Sequence, residues 1–224
     1  MFRYEKEMIP ILKEQLSFRH KNSHFVNEFN SGNGIADLVY TTQLEEKKEL
    51  ILDYELISIV MNYLNRKNKI IEIKEFYSNT FLSKKKAFGL IQFLLDGGNL
   101  EQINDENLLV KEKYSAPVKD IISIEAKLYD WKNGFYQALR YKPYSNKSYL
   151  AISQEFVHRV DKELLKENNI GLMSVSPNEV NVIINPKLEK PSNLIAHMYL
   201  AEKFYMQVFH EKTINKTKNK LQIA

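Results

Sequence analysis

The chain contains no cysteine, so disulfides, thiolate zinc sites and a cysteine nucleophile are all excluded. Its five histidines (His20, His24, His158, His197, His210) are scattered, with no His-x3-His pair to suggest a histidine metal site. Seven glycines and six prolines in 224 residues leave little room for irregular linkers. No apolar run approaches the roughly 18 residues of a membrane span, and the N-terminus lacks the apolar core of a signal peptide. The expectation is a cytoplasmic protein with no membrane partner. Charge of one sign is also missing: 32 basic against 28 acidic residues leave a net +4, too little to announce nucleic-acid binding. Local basic clusters remain, at Lys84-Lys85-Lys86 and along a tail from Lys212 to Lys220 that carries Lys216 and Lys218. What is present is ample core material, including 13 Tyr and 12 Phe.

Hydrophobic periodicity orders the elements. Residues 4–18 read as a helix with Met8, Ile9, Leu12 and Leu16 on one side, its regular part beginning or kinking near Pro10. Residues 24–30 alternate as a strand, Ser31-Gly32-Asn33-Gly34 signals a hairpin turn, and Ile35 to Tyr40 returns. Residues 46–115 then form a self-contained set. Asp53 caps a helix with Leu56, Ile59, Val60, Tyr63 and Leu64; a short helix carries Ile73, Phe76 and Tyr77. Ser83 caps a third helix with Ala87, Leu90, Ile91, Leu94 and Leu95, which stops at Asp96-Gly97-Gly98. Leu100–Ile103 and Leu108–Val110 pair around Asn104–Asn107. Three helices and a hairpin are the parts of a winged helix, inserted between residues 1–45 and 116–224. After the insert come a strand at 121–127, a helix from Asp130 to Lys142 and a strand at 147–153. A helix at 154–168, two strands at 171–176 and 180–185, and a helix at 192–211 follow. The order outside the insert, α-β-β-β-α-β-α-β-β-α, predicts an α/β (α+β) core.

Chemistry concentrates at residues 121–127. Side chains alternate along a strand, so Glu125 and Lys127 share one face while Ile122, Ile124 and Ala126 share the other. An acid and a base at the end of a buried strand are expensive to desolvate, which points to use. Asp37 lies on the strand that precedes this one in the core order, so pairing would bring its carboxylate to Glu125. Two carboxylates and a strand carbonyl, that of Ala126, are hard oxygen ligands suited to Mg²⁺ or Mn²⁺. Such a metal acidifies a bound water and stabilises charge on a phosphate, with Lys127 placed to orient the water. The structural alternative is an ion pair that holds the sheet in register. On the next helix Gln137 and Tyr141 are four apart and share a face that can reach back toward Lys127. Arg140 and Lys142 are candidate phosphate contacts, with a solvated helix face the alternative. Trp131, Phe135, Ala138 and Leu139 form the packing face.

Asp37, Ile-Glu125-Ala-Lys127 and Gln137-x3-Tyr141, in that order, resemble the motifs of the PD-(D/E)xK nuclease superfamily, with the Gln-x3-Tyr element of its exonuclease-like branch. The resemblance covers about residues 1–40 and 116–185. It departs from the nominal motif at Ala36, where a proline often precedes the aspartate. It implies a restriction-endonuclease-like core, a central mixed sheet flanked by helices, and metal-dependent phosphodiester hydrolysis. It also implies a glutamate from the first helix, for which Glu5 is favoured over Glu7, with Glu28 a further acid nearby. Relatives that cut both strands commonly act as dimers, so the resemblance allows a homodimer, but no segment announces an interface and the oligomeric state stays open. The implied partner is DNA, and Ser83, Lys84, Lys85 and Lys86 would let the insert's third helix touch it. The competing function is a DNA-binding regulator that keeps a nuclease fold without catalysis.

Overall fold

The computed structural model describes residues 1–47, 49–64 and 68–221, with side chains as far as residue 209. The chain divides into two compact units, residues 1–48 with 117–224, and residues 49–116. The sequence reading sets the cuts at 45/46 and 115/116.

In the first unit a 3-10 turn, Glu5–Glu7, leads into α1 (Met8–Arg19), so the regular helix starts two residues ahead of Pro10. Proline is tolerated in a first turn because its missing N–H would have no intrahelical partner there. The hairpin β1 (His24–Asn30) and β2 (Ile35–Thr41) follows. The second unit holds α2 (Tyr54–Ile59), β3 (Ile70–Glu72), α3 (Ile73–Thr80), α4 (Lys84–Asp96), β4 (Leu100–Gln102) and β5 (Asn107–Val110). The chain then returns through β6 (Ile122–Lys127), α5 (Trp131–Tyr141), β7 (Lys147–Ser153), α6 (Lys162–Glu167), β8 (Gly171–Val175), β9 (Val180–Ile184) and α7 (Leu194–Leu221).

The first unit is a mixed α/β layer structure around a six-stranded sheet of order β1-β2-β6-β7-β8-β9. β6, β7 and β8 run parallel and the remaining pairs antiparallel. Strand alternation loads both faces. Ile122, Ile124, Ala126, Tyr149 and Ala151 pack with Met8, Leu12 and Leu16 of α1. Leu150, Ile152 and Leu172 pack on the other face with Phe135 and Ala138 of α5 and Leu165 of α6. Helices thus cover both faces of the central parallel strands. α7 buries Phe204 edge-on against Phe29 of β1, which gives this helix's apolar stripe a place in the core.

Four expectations change. The helix expected over 154–168 is a 3-10 segment, Gln154–Arg159, then a break, then α6; Asp161 accepts the Leu164 N–H and starts a new helix. The helix expected from Asp53 to Leu64 is capped by Asp53 as foreseen. After Ile59 it widens into a π-helical turn, Val60–Leu64, so Ile57 joins the buried face and Leu56 lies partly exposed. The hairpin of the insert has a third strand, β3, giving the order β3-β5-β4. α7 also runs ten residues past the expected end at Glu211, and the lysines of the basic tail lie outside the described side chains.

Candidate active site

The β2–β6 ladder covers only Leu38–Tyr40 against Ile122–Ile124. One step on, Asp37 and Glu125 are the next opposed positions, and the strands part there. Asp37 replaces the ladder bond by accepting the Ala126 N–H on Oδ2 at 2.7 Å. Both carboxylates thus stand at the fork, on the face away from Ile124 and Ala126. Ala36 is fully buried.

Glu125 is almost wholly buried, and both its oxygens are held. Lys127 Nζ donates to Oε1 at 2.6 Å, and the Tyr141 hydroxyl lies 2.5 Å from Oε2. The same hydroxyl is 2.8 Å from the Ile35 carbonyl, so α5 spans the fork from behind. Glu5 closes the front: its Oε1 accepts the Leu128 N–H at 3.3 Å and its Oε2 lies 3.7 Å from Lys127 Nζ. Glu7, by contrast, turns back to accept the Arg3 N–H at 2.8 Å. Glu5 reaches the site from the 3-10 turn rather than from the regular helix.

Burial raises the Asp37 pKa above the ordinary carboxylate range, opposed by the Ala126 N–H and Lys127 and reinforced by Glu5 and Glu28. Burial likewise raises Glu125, and the Asp37 charge adds to it against the pull of Lys127 and Tyr141. Burial works to lower the Lys127 pKa, but the surrounding carboxylates, Glu125 foremost, more than reverse it. Tyr141 is pushed upward by burial and by Glu125, so its phenol stays protonated as a donor.

Two buried acids, with the Asp37 charge raising Glu125, are suited to a divalent cation, whose charge removes the repulsion. Among the described residues no three or more His, Asp or Glu side chains form a ready-made metal cluster. A cation here would therefore rest on Asp37 and Glu125, with backbone oxygen and water completing the shell. Hard oxygen donors of that number suit Mg²⁺, which keeps several waters.

Gln137 makes no hydrogen bond to Glu125 or Lys127, and its Oε1 is buried without a hydrogen-bond partner. Arg140 is exposed on α5. Lys142 is committed elsewhere, donating to the Asn168 carbonyl at 2.6 Å and pairing with Glu189 at 3.0 Å.

Sequence reasoning missed one residue here. Gly134 on α5 lies so close to β6 that an added Cβ would sit 2.8 Å from Lys127 Cγ and 2.6 Å from Leu150 Cδ1. The absent side chain lets the helix press on the lysine stem. A lone glycine inside a helical pattern was the available signal. Glu28, expected only as a further acid, has φ +48° in mid-strand and falls between the pairs Asn27–Leu38 and Phe29–Ala36, opposite Asp37. With Glu5, Asp37, Asn27, Lys6 and Lys13 it lines a cleft of about 580 Å³ between α1 and the β1–β2 hairpin.

In the insert, Ser83 caps α4 by accepting the Lys86 N–H at 3.3 Å. Lys86 is not a free cation, since its Nζ lies 2.9 Å from Glu55 and 3.6 Å from Asp53 at the start of α2. Lys84 and Lys85 are exposed and form no ion pair among the described residues.

No family model matches the chain, and no curated protein matches it. Among solved structures, a protein of unknown function from Silicibacter pomeroyi is similar with a TM-score of 0.46 and 10% identity, over 93% of this chain and 90% of that one. No helix among the described residues is long and apolar enough to cross a membrane.

Proposed function

We propose that the protein is a metal-dependent nuclease of the PD-(D/E)xK type that hydrolyses phosphodiester bonds in DNA. In this reading the first unit is a restriction-endonuclease-like core and residues 49–116 are a winged helix that adds DNA affinity. The observation that carries the reading is the fork between β2 and β6. Asp37, Glu125 and Lys127 converge there on one face of the sheet, beside a cleft.

Asp37 and Glu125 would hold Mg²⁺ or Mn²⁺, and the Ala126 carbonyl would offer a further oxygen. When bound, the metal supplies an acidified water and neutralises charge building on the phosphate. Lys127 stays charged among its carboxylates and offers its protons to the oxygens that become negative during hydrolysis. Tyr141 fixes the Glu125 carboxylate, and Glu5 stations the ammonium from the other side. In the insert Lys84, Lys85 and the N-terminus of α4 meet phosphates.

Cleavage of assorted DNA substrates with Mg²⁺ or Mn²⁺ tests this, comparing the native chain with Asp37→Ala and Lys127→Ala. Loss of at least about a hundredfold in each variant is expected for groups that act on the reacting atoms. Equal cleavage by all three proteins sinks the assignment.

A second reading rests on the 2.6 Å Glu125–Lys127 contact. The pair then pins the sheet of a non-catalytic DNA-binding regulator. Such a protein binds DNA equally with and without divalent cations, and equally in Asp37→Ala.

A further inference from the structure

We infer that the cleft between α1 and the β1–β2 hairpin takes a single polynucleotide strand, whose backbone phosphates are held by Lys6 and Lys13. The inference rests on the nuclease reading of the adjoining carboxylates and names the substrate class for that site. The cleft carries charges of both signs. Glu28 and Asp37 line it from the β1–β2 hairpin, while Lys6, Lys13 and Glu5 come from the first turn and α1.

Three carboxylates and two lysines share this space, yet neither lysine forms an ion pair with any of them. Each ammonium sits instead over an aromatic face, Lys6 at 5.5 Å from the Tyr4 ring centroid and Lys13 at 6.0 Å from that of Phe25. A cation held this way keeps its full charge for an incoming anion, because no carboxylate has neutralised it.

Spacing and size point to one strand. Seven positions along the turn and helix separate the two lysines by about 10 Å, at roughly 1.5 Å per residue. That spans about three stacked nucleotide steps at roughly 3.4 Å each. The cleft volume of about 580 Å³ lies in the range of small-molecule sites. A duplex lays down a far larger interface, on the order of 1,000 Å² or more of protein surface. The Tyr4 ring, 61% exposed beside Lys6, offers a base the stacking surface that an unpaired strand can use and an intact duplex cannot.

Fluorescence anisotropy on the full chain tests this. The probes are a labelled single-stranded DNA oligonucleotide, the RNA of the same sequence, and the DNA duplex. Each is titrated in Ca²⁺ at several salt concentrations with the native protein, Lys6→Gln/Lys13→Gln, Lys6→Arg/Lys13→Arg and Lys84→Gln/Lys85→Gln. Two lost phosphate contacts lower the single-strand salt slope by about 1.4. Between roughly 50 and 200 mM salt the Gln variant therefore loses about sevenfold less affinity than the native chain. The Arg variant should restore the native slope, which a merely misfolded α1 would not allow. Tyr4→Ala should weaken single-strand binding about fivefold. The DNA and RNA arms tell which strand is preferred, and duplex affinity should respond to the Lys84/Lys85 change and not to Lys6/Lys13. An unchanged single-strand slope in the Gln variant overturns the inference, as does a Lys6/Lys13 dependence seen only with duplex. Neither result touches the nuclease reading, which stands or falls on cleavage by the native chain.

Discussion

Two buried carboxylates five residues apart, Asp120 and Glu125, have been solvated in opposite ways. Asp120 sits where the chain returns from the insert. Its oxygens accept from the Thr41 and Thr42 hydroxyls at 2.6 and 2.8 Å and from the Thr42 and Gln43 N–H groups at 3.1 and 3.0 Å. Neutral donors, all from three consecutive residues, tie the two roots of the insert together, where Lys119 N–H also bonds to the Gln43 carbonyl and Glu45 N–H to that of Pro117. Glu125 has one lysine, one phenol and an opposing aspartate. An acid satisfied by neutral donors is inert and holds structure. An acid facing a second acid is destabilised until a cation arrives, and that is the condition for binding one.

The comparison is broken most forcefully by neutralising the Glu125 side. Glu125→Gln with Lys127→Met removes both charges while keeping similar volumes. Cleavage should fall by about a thousandfold or more, since metal ligand and cation go together. Stability should hold or rise by about 1–4 kcal/mol, the usual result of replacing a buried ion pair with neutral groups of like size. Urea unfolding beside a cleavage assay reads both quantities. A variant that is inactive and strongly destabilised would make the pair structural, like Asp120.

Asp120→Ala is the mirror experiment. It strands a buried hydroxyl and backbone N–H groups, costing about 3 kcal/mol. In a chain of this size Tm falls by about 6–12 °C. Below the new midpoint, cleavage per folded molecule should match the native chain. A specific loss of turnover would join Asp120 to the site and erase the contrast.

Gly134→Ala sharpens the comparison from the helix side. The methyl would push on the Lys127 stem and on Leu150, while alanine gains about 1 kcal/mol of helix propensity over glycine. Those effects offset in stability, so Tm should move little. Displacing the ammonium should lower cleavage about tenfold, the penalty expected when a catalytic group is held off its productive geometry. Unaltered cleavage with a falling Tm would show that the close approach serves packing alone.

Much of this was legible in the sequence because period-2 and period-3.6 patterns are local. The faces of β6, the caps at Asp53 and Ser83, and the turn at Ser31–Gly34 followed from residue types a few positions apart. The inward turn of Glu5 rather than Glu7 also lay within reach, although its route through a 3-10 turn did not. What escaped depended on distant partners. Asp120 carries no local signal of its role, because its partners Thr41 and Thr42 lie nearly 80 positions earlier. Lys86 reads as a free cation until Asp53 and Glu55 meet it. Nothing near Gln137 foretold that its oxygen would be left without a partner. The break at Val160-Asp161 was locally visible, since Asp161 is a capping residue inside an apolar pattern, but the continuous periodicity of the flanking residues outweighed it.

The smallest effect tests the premise that Glu125's neighbour is an acid under strain. The native state raises the Asp37 pKa through burial, so it binds the proton more tightly than the unfolded chain does. Stability linked to Asp37 is therefore fully present below the ordinary value near 3.8 and is lost as pH rises through the raised value. At neutral pH, without divalent cation, the charged group costs stability. Asp37→Asn keeps an oxygen for the Ala126 N–H but carries no charge. It should raise Tm by about 2–4 °C, the shift given by roughly 1 kcal/mol in a chain of this length. The advantage should vanish as pH falls below the ordinary carboxylate range. Mg²⁺ should reverse the order at neutral pH, because only the native chain gains the binding free energy of the cation. Scans of Tm against pH, with and without Mg²⁺, check all three signs. A Tm difference independent of both pH and Mg²⁺ would place Asp37 with Asp120, an acid that holds the sheet and nothing more.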